Sequence, residues 1–439
     1  MIYTPPNALE NMNPRKCVGI CGVSTQSGMA FLADLLTAGH QVYGYARATD
    51  HGRGILKAIQ KQGGIWLERP PNTNDEPTRF ETLGENSVGH DLDQLVAQAD
   101  VIIIPVPSHY HLEVISKLAE KGLGAKKTPL VLAPSRTCAA PYIWQILGDE
   151  HPILCLATSP YSSKTLAEDR VLIKRRKRTF MGSLEGSFHA EQKKFLRQLF
   201  PQAAFSEIPG LTSLNNIGAV FHPASYLLNL DAIEERAAKS QLFSFYMEGI
   251  AERPEVGEVL EEIDQVRLQI AATIGLDTFG LRENPREDVW RKLMNGLRAL
   301  EQEHENEIDV LRRIRRQFIE YINSCVISAQ HWLDITYGVQ RLEGEALSDA
   351  IGRTPTYQKN SYPQSRYIHE DVPTGLVPLE ALALRLGISC PAVSKMIDIY
   401  SERFSADVRD NGRNLHEFST EYLKRYLVGN MNENEPEFG

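Results

Sequence analysis

The residue best suited to acid–base chemistry is His222, which lies in the stretch 215–229. An imidazole titrates near neutral pH, so it can exchange a proton with a bound carbonyl or amine. Pro223 follows it, and proline is favoured at the first position of a helix, where its missing N–H costs nothing. We therefore predict that His222 lies where a helix begins, just after the polar turn at 215–216. A histidine that only caps or packs against that helix is the alternative.

A second group of ionisable side chains lies in the stretch 365–378. If Asp371 lay beside His222, its carboxylate would fix the tautomer of the imidazole and stabilise the charged form. The planar guanidinium of Arg366 would hold a substrate carboxylate through parallel hydrogen bonds. A solvated loop that carries an Arg–Glu surface pair is the alternative interpretation of this stretch.

Residues 22–28 lie between an apolar strand and a helix, where dinucleotide-binding folds place their phosphate-binding turn. Small residues there let backbone N–H groups approach a pyrophosphate, and the helix N-terminus stabilises its charge. Serines replace two of the usual glycines, so the pattern is degenerate. The predicted cofactor contacts come from this turn and from two prolines after a later strand: Gly22, Ser24, Thr25, Gln26, Ser27, Pro105 and Pro107.

The end of the second predicted strand bears on the choice between NAD and NADP. It carries Arg47 in place of the acidic residue that binds ribose hydroxyls, and Asp50 comes three residues later. Arg47 can pair with a 2′-phosphate, and Arg53 can assist. The sequence thus favours NADP over NAD as the cofactor, with a solvated arginine at a strand end as the alternative.

Short apolar strands alternate with helices from Lys16 to about residue 209, which predicts a doubly wound parallel sheet. The predicted strands are 17–21, 41–46, 101–104, 129–133 and 153–157, and the helices between them include 27–38 and 111–121. The fold class that follows is an α/β Rossmann-type N-terminal domain, residues 14–210, with a parallel sheet.

Beyond Gly210 strand signals disappear and amphipathic helical segments follow, which predicts an all-α C-terminal domain at 211–428. The helical segments are 222–242, 255–274, 286–304, 306–336, 378–387, 391–404 and 415–427. The polar segment 337–365 predicts a long loop or insertion, and the tail 429–439 a disordered end.

Composition excludes several classes of function. The 439 residues carry a net charge of -9, which argues against nucleic acid as a partner, and no apolar run reaches the length of a membrane span. Six scattered cysteines form neither a disulfide framework nor a metal site, so we expect no metal. With no signal peptide in the first residues, we expect a cytoplasmic protein. The basic run 174–178 predicts a solvated strand edge.

Four stretches occur in the order seen in opine dehydrogenases, the octopine/nopaline dehydrogenase-like enzymes. They are 216–229 with its His-Pro core, 246–250, 264–267 and 370–378. The chain resembles that family over roughly residues 16–404, and the segments around His222 and Asp371 are the most specific part of the likeness. Length and the stretch 177–183 also resemble the branch that makes opine-type metallophores, staphylopine dehydrogenase being an example.

The resemblance implies a Rossmann domain joined to a helical domain. It implies reduction of the imine formed between an amino acid's amine and a 2-oxo acid such as pyruvate, with NAD or NADP as cofactor. The family's catalytic histidine corresponds to His222, its partner aspartate to Asp371 and its substrate-contacting arginine to Arg366. Asn229 and Thr374 are the further candidates for substrate contact, although the family often has an aromatic residue at the position of Thr374. Analogy with related dehydrogenases predicts a homodimer.

Two other functions remain open from the sequence. One is a two-domain dehydrogenase or reductase that acts on a hydroxy acid. The other is a protein that binds NADP without catalysis, which the joint presence of His222, Arg366 and Asp371 disfavours. Oxidation of the reduced cofactor that requires both an amine and an oxo acid would separate the opine-forming reaction from both alternatives.

Overall fold

The computed structural model describes residues 16–70, 77–177, 179–282, 286–354 and 366–429. It divides the chain into two compact units. The first contains the residues up to Val106 with Ser116–Val131 and Pro160–Arg176, and the second contains Pro107–Ile115, Leu132–Ser159 and the chain from Lys177 onward. Because neither unit is a continuous segment, the predicted boundary between 210 and 211 stays a prediction. The predicted tail lies outside the described residues apart from Gly429.

The strands are short and most lie in the N-terminal half. They are β1 (Cys17–Cys21), β2 (Gln41–Tyr45), β3 (Gly64–Glu68), β4 (Thr78–Thr82), β5 (Val88–Gly89), β6 (Val101–Ile104), β7 (Leu130–Leu132), β8 (Ile153–Leu156), β9 (Tyr161–Ala167), β10 (Arg170–Arg176), β11 (Phe180–Glu185), β12 (Ala203–Ser206), β13 (Thr278–Phe279) and β14 (Val326–Ile327).

Helices follow the strands in the N-terminal half and then dominate the chain. They are α1 (Gln26–Thr37), α2 (Asp50–Gln62), α3 (Leu92–Gln98), α4 (His111–Glu120), α5 (Leu123–Lys126), α6 (Ala140–Leu147), α7 (Ala190–Leu199), α8 (Pro209–Leu214), α9 (Ile217–Leu227), α10 (Leu230–Ala238), α11 (Pro254–Thr273), α12 (Glu287–Glu303), α13 (Ile308–Ile322), α14 (Ala329–Tyr337), α15 (Leu347–Gly352), α16 (Arg366–Asp371), α17 (Val377–Arg385), α18 (Pro391–Phe404), α19 (Val408–Asn411) and α20 (Thr420–Val428). A 3-10 turn spans Ser108–Tyr110, and π-helical turns span Met247–Ala251 and Val372–Leu376.

A parallel sheet forms the core of the first unit, with strand order β6-β1-β2-β5. Val18 in β1 pairs with Val42 in β2 on one side and with Val101 in β6 on the other. All residues of β1 and β6 are buried, as expected for strands covered on both faces. The predicted Rossmann-type α/β fold is confirmed, and the helices after β1 and β2 are α1 and α2.

The first unit also contains a second sheet, of order β4-β3-β10-β9, that the sequence analysis did not predict. Its strand β10 carries part of the basic run 174–178 and pairs with β9 on one side and β3 on the other. Pairing with β3 ends at Leu172, and Lys174, Arg175 and Arg176 are exposed where β10 pairs with β9, so the predicted solvated strand edge is confirmed for these residues. Arg178 lies outside the described residues.

In the second unit β11 pairs antiparallel with β8 and parallel with β12, and helices follow from Pro209 onward. The helical domain is confirmed, with two corrections. Strands do not disappear, because β13 and β14 pair in parallel, and β14 divides the predicted helix 306–336 into α13 and α14. The predicted loop 337–365 contains α15, a short helix whose apolar residues are buried, while 355–365 lies outside the described residues.

Candidate active site

His222 and Asp371 lie together in the second unit, although 149 residues separate them in the chain. Nδ1 of His222, on α9, is 2.6 Å from Oδ2 of Asp371, the last residue of α16. Because a carboxylate only accepts hydrogen bonds, Nδ1 carries the proton and donates it. Asp371 is fully buried, whereas 20% of the His222 side chain is exposed. Nε2 is therefore the nitrogen left to exchange a proton with a bound molecule.

The prediction that His222 begins a helix is wrong. The polar turn does mark the start of α9, but the helix begins at Ile217 and Pro223 lies inside it. Proline there removes the N–H that would bond to the carbonyl of Ala219, a cost that packing has to offset. Residues 219–227 are buried apart from His222, so burial of this helix overrides the preference of proline for a first turn.

One face of α9 is shaped by a glycine. Gly218 lies one helical turn before His222 and therefore on the same face. A Cβ at Gly218 would lie 2.7 Å from Nη1 of Arg136 and 3.4 Å from Oδ1 of Asp371. The missing side chain gives these two groups room to meet beside the imidazole.

Arg136 and Glu370 belong to the same cluster, and the sequence analysis did not single out either as a site residue. Nε of Arg136 donates to Oε1 of Glu370 at 3.2 Å, and Nη2 lies 3.1 Å from Oδ1 of Asp371. Burial by itself would raise the pKa of Glu370, but the charge and hydrogen bond of Arg136 hold that pKa below its ordinary value. One guanidinium thus contacts two adjacent carboxyl groups beside His222.

The loop that carries Arg136 follows β7 and is fixed by backbone hydrogen bonds. Arg136 and Cys138 both adopt the left-handed conformation, with φ of 62° and 49°, which is costly for residues other than glycine. The buried guanidinium of Arg413 donates from Nη1 to the carbonyls of Ser135 at 2.9 Å and Thr137 at 3.0 Å. The Thr137 N–H in turn donates to the carbonyl of Thr374 at 3.2 Å. These contacts hold the loop in a conformation that it would not adopt alone.

Aromatic rings line one side of the imidazole. The ring of Tyr367 stacks on that of His222 with 4.6 Å between centroids and 28° between planes. Phe245 lies 6.0 Å from the same imidazole and packs on Tyr226 at 4.7 Å. Stacking restricts rotation of the imidazole about its hydrogen bond to Asp371.

Two predicted substrate contacts are already bonded within the second unit. The buried Asn229 donates to the carbonyls of Ser225 and Gly249 and accepts from Arg253 at 2.9 Å. Thr374 donates to the carbonyl of Glu370 at 2.6 Å. Both side chains therefore already form hydrogen bonds within the protein.

Arg366 starts α16, five residues before Asp371, but its side chain lies outside the described part of the chain. The helix axis nevertheless continues beyond Asp371 through the π-helical turn Val372–Leu376 into α17. Such turns often occur at functional sites because they redirect side chains on a helix.

The glycine turn lies in the first unit and is packed tightly. Gly22 has φ of 116°, and a Cβ on it would lie 2.6 Å from Cγ1 of Val106. A Cβ on Gly28 would lie 2.2 Å from the carbonyl oxygen of Gly22. The hydroxyl of Thr25 caps α1 by accepting from the N–H of Gly28 at 2.9 Å. This tight strand–turn–helix geometry is the one that brings backbone N–H groups close to a pyrophosphate.

Other predicted cofactor residues lie in the same turn. Ser24 and Ser27 are partly exposed, and the Gln26 side chain donates to the carbonyl of Ser163 at 2.6 Å. The N–H groups of Gln26 and Ser27 belong to the first turn of α1, where a helix provides no acceptor of its own. The backbone of this turn, more than its side chains, is therefore available to an anion.

The remaining cofactor candidates follow strands of the parallel sheet. Arg47 is exposed just after β2, and Pro105 follows β6, so both lie at the carboxyl edge where such sheets bind ligands. Arg53 is one turn into α2 and pairs with Asp50 at 2.6 Å. Pro107, two residues beyond Pro105, belongs to the second unit and precedes the 3-10 turn.

Within the described ranges no helix has the length and apolarity of a membrane span. The same residues contain no group of three or more His, Cys, Asp or Glu side chains arranged to hold a metal ion. All six cysteines are buried thiols.

Part of the chain matches the model of a known protein family. Residues 211–291 and 295–404 match the model of the alpha-helical domain of NAD/NADP octopine/nopaline dehydrogenase. An opine dehydrogenase from Arthrobacter sp. (strain 1C) is 25% identical over 399 residues, which cover 88% of this chain and 91% of that protein. The chain is thus similar to opine dehydrogenases, most specifically in the segment matched to their helical domain.

Solved structures with 16% identity or less share the fold of this chain. Octopine dehydrogenase with NADH and L-arginine has a TM-score of 0.64 at 16% identity, covering 91% of this chain and 93% of that one. Yersinopine dehydrogenase with NADP+ bound has a TM-score of 0.61 at 15% identity, covering 95% and 96%.

Some residues of this candidate site could have been found from the sequence, because buried charges need partners of opposite charge. Glu370 and Asp371 are consecutive acidic residues that lead into an apolar stretch, so their burial requires a cation. Arg136 is flanked by Ser135 and Thr137 after an apolar strand, and nothing in its local pattern indicates a buried side chain. Only the contact between distant segments identifies it.

Proposed function

We propose that the protein is an NAD(P)H-dependent opine dehydrogenase, which condenses the amine of an amino acid with a 2-oxo acid and reduces the resulting imine. The observation that carries the proposal is the 2.6 Å pair of His222 and Asp371, which lies within the segment matched to the family's helical domain. Similarity to opine dehydrogenases and the nucleotide-type turn of the first unit support the same reaction.

His222 is proposed as the acid–base group. Attack of the amine on the oxo carbon gives a carbinolamine, and loss of water from it requires a proton on the departing hydroxyl. Nε2 of the imidazolium can donate that proton while Nδ1–H remains bonded to Asp371. Proton transfer by a positioned side chain contributes roughly 10²–10⁴-fold to such reactions. Asp371 compensates the charge of the imidazolium and fixes its orientation.

Arg366 is proposed to hold a substrate carboxylate. Both substrates carry one, and a guanidinium binds a carboxylate through two parallel hydrogen bonds. Its position at the start of α16 places it on the helix that ends at Asp371. Asn229 and Thr374 are proposed to line the substrate site, where their internal hydrogen bonds fix the orientation of both side chains. Octopine dehydrogenase has been solved with L-arginine and with pyruvate, so pyruvate is the first 2-oxo acid to test.

The glycine turn of the first unit fits a nicotinamide dinucleotide. A Cβ would fill the cradle at Gly22 and Gly28, and the first N–H groups of α1 offer donors to a pyrophosphate. Ser24, Thr25, Gln26 and Ser27 would contribute through the backbone of this turn. Such a cofactor, when bound, supplies the hydride that reduces the imine carbon.

NADP is proposed over NAD because Arg47 is exposed at the end of β2, where an acidic residue would otherwise bind the ribose. Relatives of this fold have been solved with NADH and with NADP+. Arg47→Ala is expected to raise the KM for NADPH by about 10-fold or more, the effect of losing a charge-assisted hydrogen bond, and to change the KM for NADH little. Initial rates with each cofactor test this. Equal changes in both KM values would remove Arg47 from the phosphate site.

A homodimer, a cytoplasmic location and a place in the metallophore-producing branch are further proposals. Large apolar side chains on α12 and α13 support the dimer, because Val289, Leu300, Ile308 and Tyr321 are each more than 40% exposed. A second copy of the chain would cover such a surface. Light scattering of the purified protein tests the oligomeric state.

The deciding experiment measures NADPH and NADH oxidation by the purified protein with pyruvate or 2-oxoglutarate and a pooled panel of amino acids. We expect oxidation only when amine and oxo acid are both present, and dividing the pool identifies the amine. His222→Ala should lose at least 100-fold in kcat and keep the wild-type affinity for NADPH, since His222 is not part of the glycine turn. Oxidation with the oxo acid alone would replace the proposal with a hydroxy-acid dehydrogenase. Normal turnover by His222→Ala would remove the histidine from the mechanism.

A further inference from the structure

Arg136, Glu370 and Asp371 form a buried charge cluster beside His222. No more than about a tenth of any of these three side chains is exposed. The guanidinium uses a different nitrogen for each neighbour: Nε for Glu370, Nη2 for Asp371 and Nη1 for Oδ1 of Asn216 at 3.1 Å. A lysine could not make these contacts, because it presents one charged centre instead of a planar fork.

The charges of this cluster balance only when His222 is protonated. Two carboxylates and one guanidinium leave a single negative charge, which an imidazolium compensates. Uncompensated charge is costly away from water, so the number of charges in this buried cluster matters to the groups that contact it. Each carboxylate is also committed to separate partners, since Glu370 accepts the N–H of Ser108 at 3.1 Å while Asp371 accepts from His222.

We infer that Arg136 is a positioning residue that sets the pH range in which His222 can act as an acid. It neutralises Glu370, holds one oxygen of Asp371 and leaves the other oxygen for the imidazole. The inference rests on the proposed function for its catalytic meaning, but the charge balance itself is a property of the folded protein.

The backbone supports this role. Arg136 is held in a left-handed conformation by a loop whose carbonyls are bonded to Arg413, so the guanidinium reaches the carboxylates at a conformational cost. Gly218 keeps the space beside the guanidinium open, since a Cβ there would lie 2.7 Å from Nη1. Burial opposes the charge on Arg136, yet the two carboxylates raise the pKa of the guanidinium above its ordinary value.

Other ionisable groups surround the cluster, and none of those described replaces Arg136. From the segment after β6, His109 and His111 affect Glu370, and burial lowers the pKa of His109. On α16, burial lowers the pKa of His369, and Tyr367 stacks on His222. The guanidinium of Arg413 is bonded to backbone carbonyls.

Three variants test the charge balance by opposite changes. Arg136→Gln leaves two carboxylates to be compensated, so the high-pH limb of kcat/KM in the reductive direction should move to higher pH. Glu370→Gln leaves Arg136 facing Asp371 alone, so the same limb should move to lower pH. The double variant has the wild-type net charge and should return close to the wild-type limb. Shifts of about 1 pH unit or more are expected from one adjacent buried charge.

Arg136→Lys distinguishes charge from geometry. It keeps the positive charge but loses the fork, so it should restore the limb toward wild type while kcat remains reduced. A purely structural role would lower activity or stability without shifts of opposite sign. Shifts of the same sign in Arg136→Gln and Glu370→Gln, or no shift in either folded variant, would overturn the inference. If Arg136→Gln does not fold, the downward shift in Glu370→Gln is still required.

A second measurement separates this inference from the proposed function. The Cε1–H signal of His222, identified by its absence from the spectrum of His222→Ala, can be titrated by NMR without any substrate. Opposite shifts in the titration of an enzyme that makes no opine would support the charge balance and reject the proposed function. Opine formation by the wild-type protein, together with an unchanged His222 titration in the variants, would support the proposed function and reject the charge balance.

Discussion

Carboxyl groups are buried at several places in the second unit, and two of these places have different neighbours. Glu370 and Asp371 contact the guanidinium of Arg136, and Asp371 also contacts an imidazole. Glu185, at the end of β11, is only 2% exposed and contacts hydroxyl groups instead, those of Ser183 and of Tyr426 at 2.8 Å.

The difference in neighbours gives the two places opposite electrostatics. Burial raises the pKa of Glu185, and the hydrogen bonds from hydroxyl groups only partly oppose it. Arg136 overcomes the same burial at Glu370 and holds that pKa below its ordinary value. A buried carboxyl group is therefore not in itself a sign of catalysis. The sign is a carboxylate kept ionised by a cation next to a group that can move a proton.

The comparison predicts its largest effect on activity. Asp371→Asn replaces the carboxylate with a neutral amide, whose NH₂ group can face His222 and favour the wrong tautomer. The amide also cannot compensate the imidazolium, so kcat should fall by roughly 10²–10⁴-fold. Glu185→Gln is the matched control, an amide in place of another buried carboxyl group, and it should stay within about threefold of the wild type. Steady-state rates of both variants check this. Similar losses in the two variants would mean that burial, not the pairing with His222, decides the effect.

His222 and Asp371 could be located from the sequence because each lies in a distinctive local stretch. Arg136 could not, because the residues around it carry no periodicity and no glycine to signal its left-handed backbone. The position of His222 inside α9 was missed for a related reason. The local preference of Pro223 pointed to a helix start, whereas burial of the whole α9 segment determines where that helix runs.

The fold, like the site, could be predicted where it depends on local sequence patterns and not where it depends on contacts between distant segments. The apolar runs of β1 and β6 and the periodic helices depend on nearby residues, so their patterns are visible in the sequence. The sheet β4-β3-β10-β9 joins strands about 100 residues apart through partly exposed positions, and the two-residue strands β13 and β14 exist only because they pair. Elements formed by contacts between distant segments leave little trace in a local pattern.

The buried arginines Arg136 and Arg413 also differ in their partners, and this difference predicts the next largest effect, which is on the free energy of unfolding. Arg136 is paired with carboxylates, whereas the fully buried Arg413 donates to carbonyls and burial lowers its pKa. Arg413→Met should leave the carbonyls of Ser135 and Thr137 buried without donors and lower the free energy of unfolding by about 2–5 kcal/mol. Denaturant unfolding measures this, with the exposed Lys424→Met as control. A loss under 1 kcal/mol would mean that the loop of Arg136 is held by other contacts.

The smallest expected effect is the opposite dependence of stability on pH at the two carboxyl groups. The folded-state pKa of Glu185 is raised above its ordinary value of 4.5, so its stabilising contribution is present below pH 4.5 and is lost as pH rises through the folded value. Relative to Glu185→Gln, the wild type should therefore lose stability in that window, by at most about 1.4 kcal/mol per pH unit for one proton.

Glu370 has the reverse sign, because its folded-state pKa is lowered. Its contribution is present above pH 4.5 and is lost as pH falls through the folded value, so the wild type should lose stability relative to Glu370→Gln toward acid. Unfolding free energies of both variants and the wild type, measured from pH 3 to pH 8, test the pair. Stability curves that bend in the same direction would show that Arg136 does not distinguish the two carboxyl groups. The electrostatic difference between the candidate site and the surroundings of Glu185 would then be lost.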